Sequence, residues 1–393
     1  MDKINNKHRQ VVVVGGGPVG LFLGICLQQS GIDFVILERR NEPRSHSRSL
    51  GIHPVSLELF EKTGIIEAFL QEGIKIEKGV AFSDSAKLGS IPFRYGPGPY
   101  RFVLSIPQYR TEQLLREALA KVGGTVLTGS ELTGLDIRED GIELKYHDSD
   151  NDHQMELQAD FVVGADGKNS LVRSEAGFKF EGGSYSDTYI MGDFTDNTVF
   201  ESDAAVFLTR SGVIECFPLS ETHRRWVVKT ESYITDPTRS DIEKRVAVRI
   251  GHDLGEQENT MLSSFGVQRY LADPIADGRI LLAGDAAHVI SPIGGQGMNL
   301  GWLDAWDLAR TLDHIYHKND AKADIRDRVK RYGMRRQKAA RNAIRRAEFN
   351  MKLGRAKRIP LFRNVLIWVM LNTPLRRLMV RLFTMRGIEK GWF

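Results

Sequence analysis

The chain has 393 residues, 41% of them hydrophobic and 9% aromatic, which supports a sizeable core and excludes a disordered or fibrous protein. Its formal charge of +4 hides an asymmetry: residues 322–393 carry 21 Lys/Arg against four acids, whereas the rest carries 33 against 46. Cys26 and Cys216 are the only cysteines, which argues against a disulfide framework or a cysteine-ligated metal and for a reducing, cytoplasmic setting.

The length suits two intimately joined domains. Asp2 and Lys3 lead toward the first strand without a signal-peptide pattern, and no apolar run is long enough to span a bilayer. Val11-Val12-Val13-Val14 reads as a buried parallel strand. It ends at Gly15-x-Gly17-x-x-Gly20, and Leu21 to Gln29 reads as an apolar helix. A second strand, Phe34 to Leu37, ends at Glu38, eighteen residues beyond Gly20. Strand, glycines, helix and acid together form a dinucleotide-binding pattern. Glycines permit close backbone approach to a pyrophosphate, and the helix start offers unpaired N–H groups. Glu38 would accept hydrogen bonds from ribose hydroxyls. These residues alone do not separate FAD from NAD. Arg39 and Arg40 suit either a 2′-phosphate or solvated charge.

Further along, His53 to Lys62 and Arg110 to Lys121 read as helices, with Gly96-Pro97-Gly98-Pro99 as a loop. Short strands are expected at 125–127, 132–137, 142–147 and 161–163. Alternating segments at Tyr185–Phe194, Ala204–Phe217 and Arg225–Glu231 predict an antiparallel sheet, the wall of a substrate chamber. Arg279 to Ala283 returns to the parallel sheet, and the chain from Leu300 is almost wholly helical.

Two more glycine turns follow strands. One is Gly164-Ala165-Asp166-Gly167; the other is Gly284-Asp285-Ala286-Ala287-His288, with Pro292 and Gly294-Gly295-Gln296-Gly297-Met298-Asn299 beyond. With all three turns in order, the chain resembles the class A flavoprotein monooxygenases of the para-hydroxybenzoate hydroxylase type over roughly Val11 to Leu312. The segments Arg48…Gly51-Ile52-His53-Pro54 and Pro107-Gln108-x-x-Thr111-Glu112 look closest to the aromatic polyketide and phenol hydroxylases. Those relatives usually carry a thioredoxin-like C-terminal domain, in whose place this sequence has basic helices.

The resemblance implies an α/β fold: a Rossmann-like FAD-binding domain (1–180 and 265–320), an interleaved antiparallel substrate domain (75–105 and 181–264) and basic C-terminal helices (321–393). It implies that Gly15, Gly17, Pro18, Val19, Gly20 and Glu38 hold the ADP half of FAD, with Arg39 also a cofactor-binding candidate. Arg48 and Gln108 would reach the cofactor, Leu132 would lie near the adenine, and Asp166 would serve FAD and the pyridine nucleotide. Gly284 and Asp285 would meet the ribityl chain. Pro292, Gly295, Gly297, Met298 and Asn299 would pass beneath the flavin, where a helix N-terminus also favours the negative charge of reduced flavin by ~0.3–2 kcal/mol.

NADPH or NADH would then reduce the flavin, and O2, trapped as a C4a-hydroperoxide, would hydroxylate or epoxidise an aromatic, quinol or other lipid-like substrate. No metal is expected. His223, Tyr185, Tyr189 and Arg225 are candidates for handling a phenolic proton; His288 reads as structural.

Leu361 to Met385 interleaves apolar residues, Trp368 among them, with Arg363, Arg376, Arg377 and Arg381. It suits either packing across the two domains or an interfacial helix on an anionic membrane, which would make the protein peripheral on the inner face. The alternatives are a flavin-dependent reductase of prenyl chains and a non-catalytic basic nucleotide-fold binding protein. No nucleic-acid partner is expected, because the basic helix 329–349 lacks interleaved aromatics.

Overall fold

The computed structural model describes residues 8–42, 49–138, 140–256, 259–317, 322–356 and 360–389. Strand His8–Val14 is buried on both faces from Val11 onward, as its β-branched run requires, and takes the middle of a parallel sheet. Phe34–Glu38 pairs with it on one side and the end of His153–Gly164 on the other. Val126–Thr128 and Ile280–Leu282 extend the parallel run outward. The three glycine turns therefore leave the carboxyl ends of three adjacent strands, the edge at which open α/β sheets bind ligands.

Ser130–Ile137 and Ile142–Asp148 form an antiparallel meander on the first half of His153–Gly164. A second sheet, mostly antiparallel, runs in the order 288–289, 261–273, 179–195, 223–230, 212–218, 204–209, 78–83, 86–92. A three-stranded sheet of 51–52, 103–105 and 74–76 lies apart from both.

Several expectations change in detail. The segment 204–217 is two strands, Ala204–Thr209 and Gly212–Pro218, joined as a hairpin. Strands Lys78–Ser83 and Ala86–Pro92 lie within the segment 75–105 expected to belong to the substrate sheet, whereas helix Arg239–Ile250 was not anticipated. The expected boundaries at 180/181 and 264/265 fall inside strands Lys179–Thr195 and Met261–Asp273, which pair with each other within the second sheet.

Helix Gln296–His317 packs against the first helix, Pro18–Gln29, with Trp302 Nε1 donating to Pro18 O at 3.0 Å. Helix Lys322–Gly354 lies along Gln296–His317 and reaches the second sheet. Its basic residues meet acids of the body: Arg335 pairs with Asp307, Arg336 with Asp304, and Arg355, just past its end, with Asp187. The C-terminal charge excess is thus partly spent on packing. Helices Leu361–Asn372 and Arg376–Phe383 cover strand Ala86–Pro92. No helix among the described residues is long and apolar enough to cross a membrane.

Candidate functional site

A cleft of about 1420 Å³ runs from the glycine turns of the parallel sheet to the inner face of the antiparallel sheet. Its two ends differ in chemistry because different elements line them.

The first end begins at Gly15. A Cβ on Gly20 would overlap the Gly15 carbonyl oxygen, so only glycine lets helix Pro18–Gln29 start hard against the strand. A Cβ on Gly17 would meet nothing within 4 Å, since this turn faces the open cleft. Glu38 is buried; Oε2 accepts from Gly16 N–H at 2.7 Å and Oε1 from Arg40 Nε at 2.8 Å. Burial alone would raise the Glu38 carboxyl, but Arg40 and Gly16 outweigh it and hold it below the usual range.

Asp166 Oδ2 caps helix Leu171–Glu175 by accepting from Leu171 and Val172 N–H, at 2.8 and 3.2 Å. Its Oδ1 is buried without a partner, and burial raises the carboxyl. Gln108 Nε2 donates to Glu112 Oε1 at 2.9 Å; Glu112 Oε2 is likewise buried and unpartnered. Asp285 is exposed to the cleft itself, deep in the body, where desolvation raises its carboxyl against the opposing effect of His288.

Asn299 is wholly buried and acts as a clamp. Its Oδ1 accepts from His53 N–H and Ser56 Oγ, and its Nδ2 donates to Gly51 O and Gly295 O, all within 2.9 Å. It sets the loop wall without facing the cleft. The helix that carries Asn299 starts at Gln296, ahead of the helical stretch expected from Leu300, and points its N-terminus toward the cleft.

Of the expected cofactor residues, Gly15, Gly17, Pro18, Val19, Glu38, Arg39, Gln108, Leu132, Asp166, Asp285, Pro292, Gly295, Gly297 and Met298 line this one cleft. Gly20, Gly284 and Asn299 lie just behind its wall. Gly284 adopts φ 62° against Val19. Arg48 lies outside the described residues.

The catalytic candidates divide. Arg225 lines the cleft but is buried in a two-bond ion pair with Asp193, at 2.7 and 2.8 Å. Tyr189 lines it too, with a buried hydroxyl that has no partner. Tyr185 does not line it: its hydroxyl donates to Glu348 Oε1 at 2.6 Å, while its ring packs against the apolar cluster that holds Tyr189 and Met191. His223 sits at a strand end beside Thr222 Oγ1, 2.9 Å away, also off the cleft. His288 is fully buried against Asp304.

Two lining residues escaped the sequence reading. His53 is buried with Nε2 3.1 Å from Gly294 O and Nδ1 unpartnered, and desolvation pulls it down to about 4. Glu215 is a carboxylate among apolar neighbours; its alternation with Val213 and Phe217 was a usable signal.

The first end thus offers backbone N–H groups at two helix starts, glycine turns open to the cleft, and carboxylates with spare acceptor capacity. A long ligand with a pyrophosphate, ribose hydroxyls and a planar ring matches that set, and FAD is such a ligand. The second end is apolar: Met191, Leu208, Val213, Val227, Phe265 and Met351 share one cluster on its wall.

Residues 8–347 match the family described as FAD binding domain. A rifampicin monooxygenase of Streptomyces venezuelae is 34% identical over 315 residues, covering 77% of this chain and 64% of that protein. An uncharacterized aromatic compound monooxygenase of Bacillus subtilis is 33% identical over 353 residues, 88% of this chain and 68% of its own. The crystal structure of p-nitrophenol 4-monooxygenase from Pseudomonas putida superposes with a TM-score of 0.87 over 99% of this chain and 100% of that one, at 20% identity, which speaks to the fold. The chain belongs to the FAD binding domain family, in the class A flavoprotein monooxygenase group. It spans somewhat under two thirds of the Streptomyces relative's length.

Proposed function

We propose that this protein is an FAD-dependent monooxygenase that uses NADPH or NADH and O2 to hydroxylate or epoxidise an aromatic, quinol or other lipid-like substrate. The observation that carries the reading is the single cleft joining a polar, glycine-built end to an apolar chamber. Bound FAD would supply the oxygen-activating redox chemistry.

The chain's own contributions follow from its geometry. The first turn and Glu38 would bind the adenosine half, Asp285 the ribityl chain, and the loop 292–297 with its helix N-terminus the flavin's polar edge. His53 and Asn299 would fix that loop. The antiparallel sheet and the last three helices would orient an apolar substrate and exclude water; Met351, Ile367, Leu371 and Met379 all face the cleft. The two sheets would then correspond to cofactor and substrate domains.

Helix Leu361–Asn372 turns Ile367 and Leu371 inward and leaves Phe362 85% and Trp368 53% exposed, with Arg376, Arg377 and Arg381 following. That outer face supports contact with an anionic membrane, from which a lipid-like substrate would enter.

The test is NAD(P)H oxidation and O2 consumption by the FAD-loaded protein over a panel of phenols, quinols and polyketides, with mass analysis. Coupled consumption and a product bearing one added oxygen support the reading. Oxidation of NAD(P)H with hydrogen added to a prenyl double bond, and no O2 use, would replace it with the reductase.

A further inference from the structure

The chamber face of the antiparallel sheet is largely apolar, and Glu215 stands on it as a carboxylate without a partner among the described residues. Alternate residues of Gly212–Pro218 face opposite ways: Ile214 and Cys216 join the outer core with Ile242 and Val246, whereas Val213, Glu215 and Phe217 line the cleft. Glu215 stands opposite Val206 on one neighbouring strand and Val227 on the other, both lining the cleft as well. Ile293, in the loop proposed to underlie the flavin, belongs to the same apolar cluster as Val213 and Val227. The carboxylate therefore faces the space between that loop and the sheet.

Other charged groups nearby are already engaged. Arg225 is held by Asp193; Lys229 and Arg355 are held by Asp187; Arg363 donates to the Leu208 and Thr209 carbonyls. No described residue forms a hydrogen bond or ion pair with Glu215, and the Tyr189 hydroxyl is the other polar group of this wall without a partner. An acid left so is unfavourable for folding, and a valine in its place would pack better.

We propose that Glu215 accepts the proton of a hydroxyl on the substrate, which is a phenol or hydroquinone laid against this sheet. The proposal rests on the hydroxylation reading above. In the step, the substrate O–H bond breaks and the proton passes to a Glu215 oxygen. The electron pair stays on the substrate oxygen and enriches the ring carbons ortho and para to it, which are then the better nucleophiles. Nothing is oxidised or reduced in this transfer. Desolvation pushes the carboxyl up to about 7, which narrows its gap to a phenol near ~10.

The experiment compares the FAD-loaded full chain with its Glu215→Leu and Glu215→Gln variants. Equilibrium dialysis with 2-naphthol and its methyl ether needs no turnover, so it reads the proposal even if the protein proves not to be a hydroxylase. The wild type should bind the naphthol at least about tenfold more tightly than the ether, a preference that Glu215→Leu abolishes. Glu215→Gln, which still accepts a hydrogen bond, should keep most of the preference yet lose the rise of kcat/KM through neutral pH. A naphthol preference unchanged in Glu215→Leu, or absent in the wild type, overturns the proposal. A neutral-pH limb retained in Glu215→Gln overturns it equally.

Discussion

The Asp304 carboxylate lies 2.6 Å from His288 Nε2, and neither side chain reaches solvent. The same oxygen, Oδ2, accepts from Gly284 N–H at 3.0 Å, and Oδ1 takes Arg336 Nε, also at 2.6 Å. One acid thus ties the third glycine turn to both long helices. Burial alone would raise Asp304, but His288 and Arg336 outweigh it and hold its carboxyl below the usual value. Since the folded value is the lower one, this stabilisation is fully present above the unfolded value near ~3.9 and is lost only as pH falls through the folded one. Asp304→Ala takes this acceptor from His288, Arg336 Nε and Gly284 N–H and should cost about 3–5 kcal/mol in chemical denaturation at neutral pH. Asp304→Asn should cost less, because it keeps an acceptor.

Glu38 joins the first glycine turn to Arg40, and its remaining lone pairs face the cleft. Glu38→Ala should weaken FAD binding by about 10- to 100-fold, the worth of one or two hydrogen bonds to a charged group. Titration of the apoprotein by flavin fluorescence measures this directly. Arg39→Ala should change the affinity little, since Arg39 is exposed and lies 3.9 Å from Glu131.

Glu215 makes a stability prediction of the opposite sign. Its folded value is raised above the unfolded one near ~4.3, so the protein loses stability as pH rises from there toward 7. Because the side chain is only partly buried, the discounted cost is on the order of 2 kcal/mol at pH 7.5. Glu215→Leu should therefore raise the melting temperature at pH 7.5 and change it little at pH 4.5. A residue with a purely structural role would show the reverse.

The outer face of helix Leu361–Asn372 predicts lipid contact by Phe362 and Trp368. Flotation with anionic vesicles should recover the wild type, whereas Phe362→Ser with Trp368→Ser should remain in solution and keep its melting temperature, both positions being exposed. Equal flotation of the two proteins, or of neither, would leave the helix as a chamber wall alone.

The parallel half was legible because each strand–glycine–helix junction is a local code: a buried β-branched run, a turn only glycine can make, and a helix start. The antiparallel half depends on register, which non-local pairing sets. Likewise the Tyr185 hydroxyl is taken by Glu348 of helix Lys322–Gly354, a partner that nothing local announces. His223 failed differently: its face is right, but it lies beyond Arg225 at the end of the strand. Helix Arg239–Ile250 did carry signals, with Thr238 N–H bonded to Asp241 Oδ2 at its start and Gly251 at φ 68° after its end. The ion pairs that seat the basic helices, such as Arg355 on Asp187, join residues too far apart in sequence to be foreseen.

The central claim is that one cleft holds FAD. Its most direct test is the absorption spectrum of the full chain after saturation with FAD and exhaustive dialysis. A yellow protein retaining one flavin per chain, with that retention much reduced in Glu38→Ala, is the predicted result. A colourless wild-type protein whose melting temperature is unchanged by added FAD would contradict it.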